Sequence, residues 1–387
     1  MELYILDSSL RRTAVIDVFE SLIWTERYSA YGDFQLVMHS TLATRSLLTL
    51  DTRLAINVSY RVMVVESIEN KTDSDGKTNI IVTGRSLEAI LMDRIVKHTL
   101  SNLTVEPKWV LTGTPGSILR QIFTAICVTG ALNAGDIIPF ITSGSIFPAN
   151  NIPEPADSVS IEVVPDTLYN VIKTICDIYE LGFRLYRNLD TSQLHFDIYS
   201  GNDRTTSQNI LPAVVFSSEL DNLANTSEFT SSMQFKNIAY VFAPSGFTIV
   251  YGDGATSSTS GFARRILLVM ADDIKETNPV LLEALLQQRG LDELSKNRSV
   301  LAFDGEIPQS GKYKYEFAYQ LGDLVEMRNL DGVTNNMRVT EQIFVDDAQG
   351  ERSYPTLALN LIITPGSWLA WDNNQEWDSA VGTWDAA

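Results

Sequence analysis

The sequence predicts an α+β fold that is mainly β, and two observations support this class. Short runs of alternating apolar and polar residues recur near the start of the chain and again after Ala213, which is the period of half-buried strands. Each of these β blocks also carries one stretch with helical apolar spacing, near residues 86–97 and 279–297. A smaller block with two helical stripes lies between them, so we expect several domains.

The first β block is organised around Ser21–Met38, which predicts two strands that meet at a polar corner over Tyr28–Asp33. The second of these strands alternates apolar and polar residues and so presents one apolar face. Gly84–Val96 predicts a helix with Ser86 as its N-cap. We expect this helix to cover the apolar face of the strand pair, because such a face must be buried against another element.

Five further strands complete the first block, and an Asp-Gly turn at Asp73–Gly76 predicts a hairpin between the last two. These strands are predicted at Glu2–Leu6, Thr13–Phe19, Leu54–Val58, Arg61–Ile68 and Asn79–Thr83.

A block of different character begins near Thr104. Its first helix is predicted to start at Thr114, which is followed by proline, and its second helix near Asp166. Between these helices Asn133–Asp157 is rich in Gly, Pro, Ser and Asn, which predicts a long surface excursion. A hairpin of Phe183–Tyr186 and Leu194–Tyr199 completes the block.

The last β block contains a helix predicted to be capped by Asn278 and to run to about Asn297. Its predicted core face is Leu282, Leu285, Leu286 and Leu294. The strands of this block are predicted at Val214–Phe216, Ser227–Phe235, Ile238–Phe242, Phe247–Tyr251, Ile266–Met270, Val300–Phe303, Tyr313–Ala318, Leu324–Arg328, Met337–Val345 and Thr356–Ile363.

Charge and composition argue against several classes of function. The 387 residues include 48 acidic and 29 basic side chains, a net charge of −19, whereas nucleic-acid binding and anionic membranes require basic surfaces. No apolar run is long enough to span a bilayer, and the first residues lack the features of a signal peptide. Two cysteines in this length exclude a disulfide framework, which indicates synthesis in a reducing cytoplasm.

The sequence offers little material for catalysis, metal binding or a cofactor, and we expect none of them. Of the three histidines only His195 has a partner at strand spacing, Asp197, and without a nucleophile motif this pair is expected to lie on a solvated strand face. Cys127 and Cys176 fall on apolar helix faces and are expected to be small buried hydrophobic residues.

The end of the chain, Gly366–Ala387, is unlike the rest. It holds four of the six tryptophans but no Lys or Arg, at spacings that match neither strand nor helix. Two hypotheses remain open: a strip that binds carbohydrate, or a peptide that docks on a partner, a role in which Trp is enriched. The acidic residues between the tryptophans favour docking, through Trp368, Trp371, Trp377 and Trp384.

Several blocks in order resemble a known family. Tyr319–Glu326, with Gly322-Asp323 at its centre, is followed by Gly332, Met337–Glu341 and Asp346–Gly350. Together with SLIWTERYSAYGDFQL, GRSLEAILMDRIV and VVFSSELDNLANTSEF, these blocks resemble the tail-tip (baseplate) hub proteins of siphophages over about residues 1–365. That family is related to the trimeric hub of contractile tails and to the N-terminal region of tail-associated lysins.

This resemblance implies a homotrimeric ring in which each subunit carries two tube-like β-barrel or sandwich domains with one helix apiece. The first strand pair and its helix would then be a tube-building unit, and its outward edges should pair with neighbouring subunits. The implied domains are 1–103 and 213–318 (tube-like), 104–212 (peripheral α+β), 319–365 (C-terminal β, or a continuation of the second tube-like domain) and 366–387 (Trp-rich tail).

The resemblance also implies the partners: the distal tail protein ring, the tape measure protein, and fibre or receptor-binding proteins, with genomic DNA in transient passage and no stable membrane insertion. A structural hub would work at the virion tail tip, where an acidic lumen would repel the passing DNA. Two alternatives stay open, a cell-wall hydrolase and a carbohydrate-binding adhesin. The short extension after the hub region and the lack of a nucleophile constellation argue against the hydrolase, and the terminal position of the tryptophans argues against the adhesin.

Overall fold

The computed structural model describes residues 1–72, 76–97, 109–145, 147–252, 254–307, 312–328 and 334–359. Within them the chain forms two compact units. Unit 1 combines Met1–Ser227 with Phe303–Leu359, and unit 2 extends from Glu228 to Ala302. The Trp-rich tail, with Trp368, Trp371, Trp377 and Trp384, lies outside the described residues.

Strands dominate the secondary structure, which confirms the predicted α+β, mainly β class. The strands of the first half are β1 (Leu3–Leu6), β2 (Arg12–Ile16), β3 (Ser21–Arg27), β4 (Asp33–His39), β5 (Arg53–Ile56), β6 (Met63–Thr72), β7 (Thr78–Ser86), β8 (Ile95–Val96), β9 (Trp109–Gly113), β10 (Ile141–Ser143), β11 (Val159–Val163) and β12 (Asp166–Thr167). Those of the second half are β13 (Gly182–Arg187), β14 (Leu194–Tyr199), β15 (Val215–Ser217), β16 (Ala224–Ser231), β17 (Ile238–Ala243), β18 (Gly246–Tyr251), β19 (Ile266–Met270), β20 (Val300–Glu306), β21 (Leu324–Arg328), β22 (Thr334–Asp347) and β23 (Gly350–Ala358).

Helices are fewer and shorter. The α-helices are α1 (Leu42–Leu47), α2 (Pro115–Phe123, continued by a π turn over Thr124–Val128), α3 (Leu168–Tyr179) and α4 (Pro279–Ser295). Short 3-10 helices lie at Leu87–Asp93, Ala134–Asp136, Ser218–Leu220 and Gly261–Ala263.

The polar corner predicted over Tyr28–Asp33 joins β3 to β4, but this strand pair lies in the interior of a large sheet. On the far side of β3 lies β22, with Arg27 opposite Glu341, and on the far side of β4 lies β7. The full strand order is β16-β20-β23-β22-β3-β4-β7-β6-β5-β1-β2, with β21 beside the first part of β22 and β15 beside β21. The expectation that the edges of this pair face other subunits is therefore wrong, because strands of the same chain already pair with both.

The apolar face of β3 and β4 is covered by the sheet itself. Trp24, Phe34 and Leu36 pack in one core with residues from distant strands of the same sheet, including Leu3 of β1 and Phe344 of β22. The sheet thus folds over its own interior, as a barrel-like arrangement requires.

The segment Gly84–Val96, which was expected to cover this face, packs against a different part of unit 1. It is a 3-10 helix over Leu87–Asp93, and Ser86 still belongs to β7, where its hydroxyl accepts the N–H of Gly32 (2.8 Å) and caps no helix. Leu87 and Leu91 pack into a second core, formed with α2, α3 and the β13–β14 hairpin. The prediction failed because the spacing of apolar residues indicates a helix face but does not identify the surface that this face meets.

The second core of unit 1 lies around α2 and α3, whose N-caps are Thr114, as predicted, and Thr167. Both cysteines lie in this core with fully buried side chains, which confirms that they are small hydrophobic residues. Burial raises the pKa of the Cys127 thiol to about 12 and raises that of Cys176 as well, so both stay protonated.

Unit 2 is a three-stranded sheet in the order β18-β17-β19 with α4 across one face. Asn278 caps α4 as predicted, accepting the N–H of Val280 at 3.0 Å. Leu282, Leu286 and Leu294 are buried against the sheet, but Leu285 is 46% exposed, so it was wrongly assigned to the core face.

Other local predictions also failed. Tyr313–Ala318 was predicted as a strand, but within 312–328 the only strand is β21, and the segment around Glu316 is a turn. The pairing of β9 with β11 was missed, because β11 lies beyond the irregular Asn133–Asp157 segment. Among the helices of the described residues, none is both long and apolar enough to cross a membrane.

Candidate functional site: the junction of the sequence motifs

The residues of the recognised blocks meet around Tyr28, directly after β3. Its ring is 1% exposed, and its hydroxyl donates to a pair of backbone carbonyl oxygens, those of Glu180 (3.1 Å) and Tyr199 (3.0 Å). Its own N–H donates to the carbonyl of Thr340, and its carbonyl accepts from the N–H of Phe183. Burial raises the pKa of Tyr28 well above its ordinary value, so it remains a donor. The backbone and side chain of this one residue therefore tie β3 to β22 and to the β13–β14 hairpin.

Two glycines make room for the Tyr28 ring. A Cβ atom at Gly182 or at Gly322 would overlap the ring, and Gly322 also has a φ of +89°, which favours glycine. Gly322 is the glycine of the Gly322-Asp323 motif. Its contact with the Tyr28 ring explains why the motif has glycine at this position.

Asp323, the partner of Gly322 in the motif, is a fully buried acceptor. Its carboxylate accepts from the N–H groups of Asn202 (2.7 Å) and Gln320 (3.0 Å) and from Nε of Arg204 (2.7 Å). Burial raises the pKa of this carboxyl, although Arg204 opposes the shift. The bonds satisfy the buried charge and attach the turn before β21 to the loop after β14.

Arg338 closes the other side of the junction. Its guanidinium is buried, donates to the carbonyl oxygens of Ser200 (2.8 Å) and Gly322 (2.6 Å), and lies 5.6 Å from the centre of the Tyr28 ring. The motif residues thus hold one another in place through backbone carbonyls, which an exchange of Arg for Lys would not reproduce.

A cluster of buried charges lies next to this junction. Arg184 donates to Oδ2 of Asp197 through Nε (3.1 Å) and Nη2 (2.8 Å), and its guanidinium lies 4.2 Å from the centres of the Phe147 and Tyr199 rings. Arg61 forms an ion pair with Glu88, whose Oε1 also accepts the N–H of Leu185 at 2.8 Å.

The acidic side of the cluster is Glu26 with Glu316. Glu26 accepts from Nε1 of Trp24 (3.0 Å) and from the hydroxyl of Tyr315 (3.1 Å). Burial, with the negative charge of Glu26 nearby, raises the pKa of Glu316 to about 7, while Arg184 and Arg61 oppose the shift. Glu316 adopts a left-handed backbone with φ of +67°, a strained conformation for a residue other than glycine.

These side chains enclose a cavity of about 10 Å³, lined among others by Glu26, Arg61, Arg184, Tyr199 and Glu316. That volume accommodates roughly one water molecule, and the buried Tyr199 hydroxyl has no hydrogen-bond partner within the described part of the chain. The cavity is too small for a substrate, so the cluster holds buried charged groups at a structural junction.

The residues that the sequence analysis considered for catalysis or metal binding do not form a common site. Asp197 is 2% exposed and paired with Arg184, so the solvated strand face predicted for His195 and Asp197 is wrong. His195 instead stacks on Tyr186, with ring centres 5.4 Å apart. Across the described ranges, no group of His, Cys, Asp and Glu side chains could hold a metal ion.

The charged residues of the cluster were not predicted from the sequence. Arg184 lies in β13, where all six positions are buried, so no alternation could separate a buried arginine from an exposed one. The sequence did point to this site through the two motif blocks around Tyr28 and Gly322, which were identified by their resemblance to a known family. That resemblance did not indicate that the two blocks are in contact.

Comparisons with known proteins agree with this architecture. A family model described as Siphovirus ReqiPepy6 Gp37-like protein matches residues 2–357. No curated protein matches the sequence.

Solved structures of similar fold include two tail proteins. The 43 kDa tail protein of prophage MuSo2 from Shewanella oneidensis is 14% identical, with a TM-score of 0.54, and the match covers 92% of this chain and 97% of that chain. A tail protein from Neisseria meningitidis MC58 is 12% identical, with a TM-score of 0.55, covering 94% and 99%. A chain of the Francisella PdpA-VgrG complex is 8% identical, with a TM-score of 0.50, covering 95% of this chain and 53% of that one. At these identities the likeness shows a shared fold.

Proposed function

The chain belongs to the Siphovirus ReqiPepy6 Gp37-like protein family, and from this premise we propose that it is the structural hub of a siphophage tail tip. In this role it forms a homotrimeric ring that closes the tail tube, adapts the sixfold tube to threefold symmetry and provides the channel for DNA ejection. The observation that carries the proposal is the family match over residues 2–357 on a fold shared with two tail proteins along nearly their whole length.

Two features of the chain support this role. The net charge of −19 suits a channel wall that repels DNA, because phosphate backbones bind where Lys and Arg accumulate. The junction around Tyr28 supports a rigid subunit, since buried donors and acceptors from four segments fix one another there. In this proposal the tube-like domains are 1–103 and 213–318, and the peripheral domain is 104–212.

The test is the copy number and position of the protein in virions. Native mass measurement of the purified chain and imaging of the tail tip with the chain tagged should show three copies in one ring at the distal end of the tube. Six copies, or a position along the tube, would contradict the proposed symmetry adaptation.

The Trp-rich tail supports a second part of the proposal, recruitment of a fibre or receptor-binding protein. Four large aromatic side chains without neighbouring cations are suited to fill pockets on a partner. A chain truncated after Pro365 should still form the ring and bind the distal tail protein ring and the tape measure protein, but should lose the fibre or tip protein. Unchanged attachment of that protein by the truncated chain would refute this role for Trp368, Trp371, Trp377 and Trp384.

The proposed role is structural, and a direct assay distinguishes it from the hydrolase alternative. A zymogram of the purified protein on host cell walls should show no clearing. Clearing by the intact protein would establish a hydrolase and displace the purely structural role. Binding of host polysaccharide that depends on residues 366–387 would instead favour the adhesin.

A further inference from the structure

Among the described residues, one face of the sheet of unit 2 remains largely exposed. The side chains of β17–β19 that point away from α4 include Phe242, Phe247, Leu268 and Met270, which are 36–66% exposed. The register places Phe242 between Phe247 and Met270 in one row across the sheet, and Tyr240 between Ile249 and Leu268 in the next. None of the three strands contains a charged residue. The sheet is mixed, with β17 antiparallel to β18 and parallel to β19, and a sheet face in contact with water is normally polar, so this face is suited to being covered.

Helix α4 has a bare apolar side as well. Its inner side, with Leu282, Leu286 and Leu294, is buried on the sheet, whereas Val280, Leu281, Leu285 and Leu291 on the opposite side are 46–78% exposed. A surface helix normally carries charged and polar residues there. Within the described part of the chain, unit 2 therefore has two exposed apolar surfaces on opposite sides, the open face of the sheet and the outer side of α4.

From this pair of surfaces we infer that unit 2 packs head to tail with a second copy of the chain, the outer side of α4 in one subunit covering the open sheet face of the next. The packing would repeat what α4 already does on its own sheet, where leucines of the helix lie on Val241, Val250 and Val269. An interface between two different surfaces of one protein continues from copy to copy and closes into a ring when the rotation allows it.

One charged residue at each surface, Arg264 beside the sheet and Asp292 on α4, provides opposite charge. Arg264 borders the open face, where it donates to the Tyr240 hydroxyl at 2.7 Å. On the outer side of α4 the polar residues are Gln288 and Asp292, bonded to each other at 2.7 Å. A cation on one surface and an anion on the other set the orientation of the contact and disfavour packing of either surface on itself.

The inference rests on the ring of the proposed function and specifies which surfaces form it. The test is site-directed cross-linking in the full-length chain. Leu268→Cys places a thiol on the open sheet face and Leu285→Cys places one on the outer side of α4; both positions are exposed, whereas the native Cys127 and Cys176 are buried. Because the two positions lie on opposite sides of unit 2, a short bismaleimide cannot join them within one chain.

Co-expressed L268C and L285C chains should give a covalent dimer, each variant alone should give none, and the double variant should give covalent trimers. Leu189→Cys, at an equally exposed leucine of unit 1, is the matched control and should not cross-link to L285C. A ring of three by mass without the 268–285 product overturns the inference and leaves the hub proposal intact. A dimer from L268C alone would show that the sheet faces pack on each other, which also overturns it. A monomer by mass with no cross-link contradicts both proposals.

A second variant separates the contact from folding. Phe247→Asp changes a side chain that is 64% exposed, so the variant should keep its secondary structure but lose the ring. Phe317→Asp, at an exposed phenylalanine of unit 1, should keep both. Retention of the ring by F247D would contradict the assigned surface.

Discussion

Tyr28 illustrates how steric contact with neighbouring residues determines which residue type a position can hold. Its hydroxyl is satisfied by two carbonyls from different elements, and its ring fills a gap that exists only because positions 182 and 322 lack a Cβ. The Tyr28 ring fits only because both neighbouring positions are glycine, so a larger residue at either position should lower the stability of the folded chain.

Gly182→Ala should therefore lower the free energy of unfolding by about 1–3 kcal/mol, because its Cβ would overlap the Tyr28 ring in a well-packed interior. Gly182 has no positive φ, so the effect is steric alone. Denaturant unfolding measures it. Gly135→Ala is the matched control: its nearest neighbour is a side-chain oxygen of Asn133 at 3.3 Å, and it should stay close to the parent. Equal stability of the two variants would exclude the packing argument.

The stability of the folded chain should depend on pH through the protonation of Glu316. Its pKa is raised from 4.5 to about 7 in the folded chain, so the unfolded chain releases this proton more readily. The contribution of Glu316 is therefore most favourable below about pH 4.5 and is lost as pH rises to about 7.

Glu316→Gln should remove this pH dependence. Between pH 4.5 and 7 its unfolding free energy should rise relative to the parent, by on the order of 1–3 kcal/mol at the upper end, since one pKa unit corresponds to about 1.4 kcal/mol. Thermal unfolding across this range checks the result. Glu219→Gln, at an exposed glutamate, is the control. A constant difference between E316Q and the parent at every pH would show that Glu316 does not titrate in this range.

At the scale of elements, α4 and its sheet illustrate a conflict between helix propensity and packing. Gly290 lies inside the helix, where glycine is unfavourable by about 1 kcal/mol relative to alanine. Its place is explained by the sheet beneath it, because a Cβ there would overlap Val250 and lie 3.0 Å from Cγ2 of Val241. The glycine lets the helix approach the sheet closely.

Gly290→Ala should therefore destabilise unit 2, by about 1–3 kcal/mol from overpacking, against the gain of about 1 kcal/mol in helix propensity. Val250→Ala in the same chain should restore part of the loss, because it removes Cγ2, the atom that the new Cβ would approach most closely. Hydrogen exchange should show faster exchange within Glu228–Ala302 and no change around Tyr28, since the two regions have separate cores. A more stable G290A would mean that propensity outweighs packing here.

At the scale of the whole molecule, two compact units with cores of their own occur in one acidic chain. The large sheet of unit 1 pairs its central strands with strands of the same chain, whereas unit 2 exposes apolar side chains on the open face of its sheet and on the outer side of α4. The chain thus combines a large, internally paired sheet with a smaller unit that has two exposed apolar surfaces.

The sequence by itself determined the fold class, most strands, the caps at Thr114 and Asn278, the burial of both cysteines and the membership of a tail protein family. These are local properties or patterns of residues in order, and period and cap chemistry report them without knowledge of the rest of the chain. Only the tertiary structure decided that Tyr28 meets Gly182 and Gly322, that Arg184 is buried beside Asp197, that Leu285 faces outward and that β3 and β4 are interior strands. Periodicity indicates which side of an element is apolar but not which surface lies against it, because that depends on tertiary contacts such as those of Tyr28 with Gly182 and Gly322.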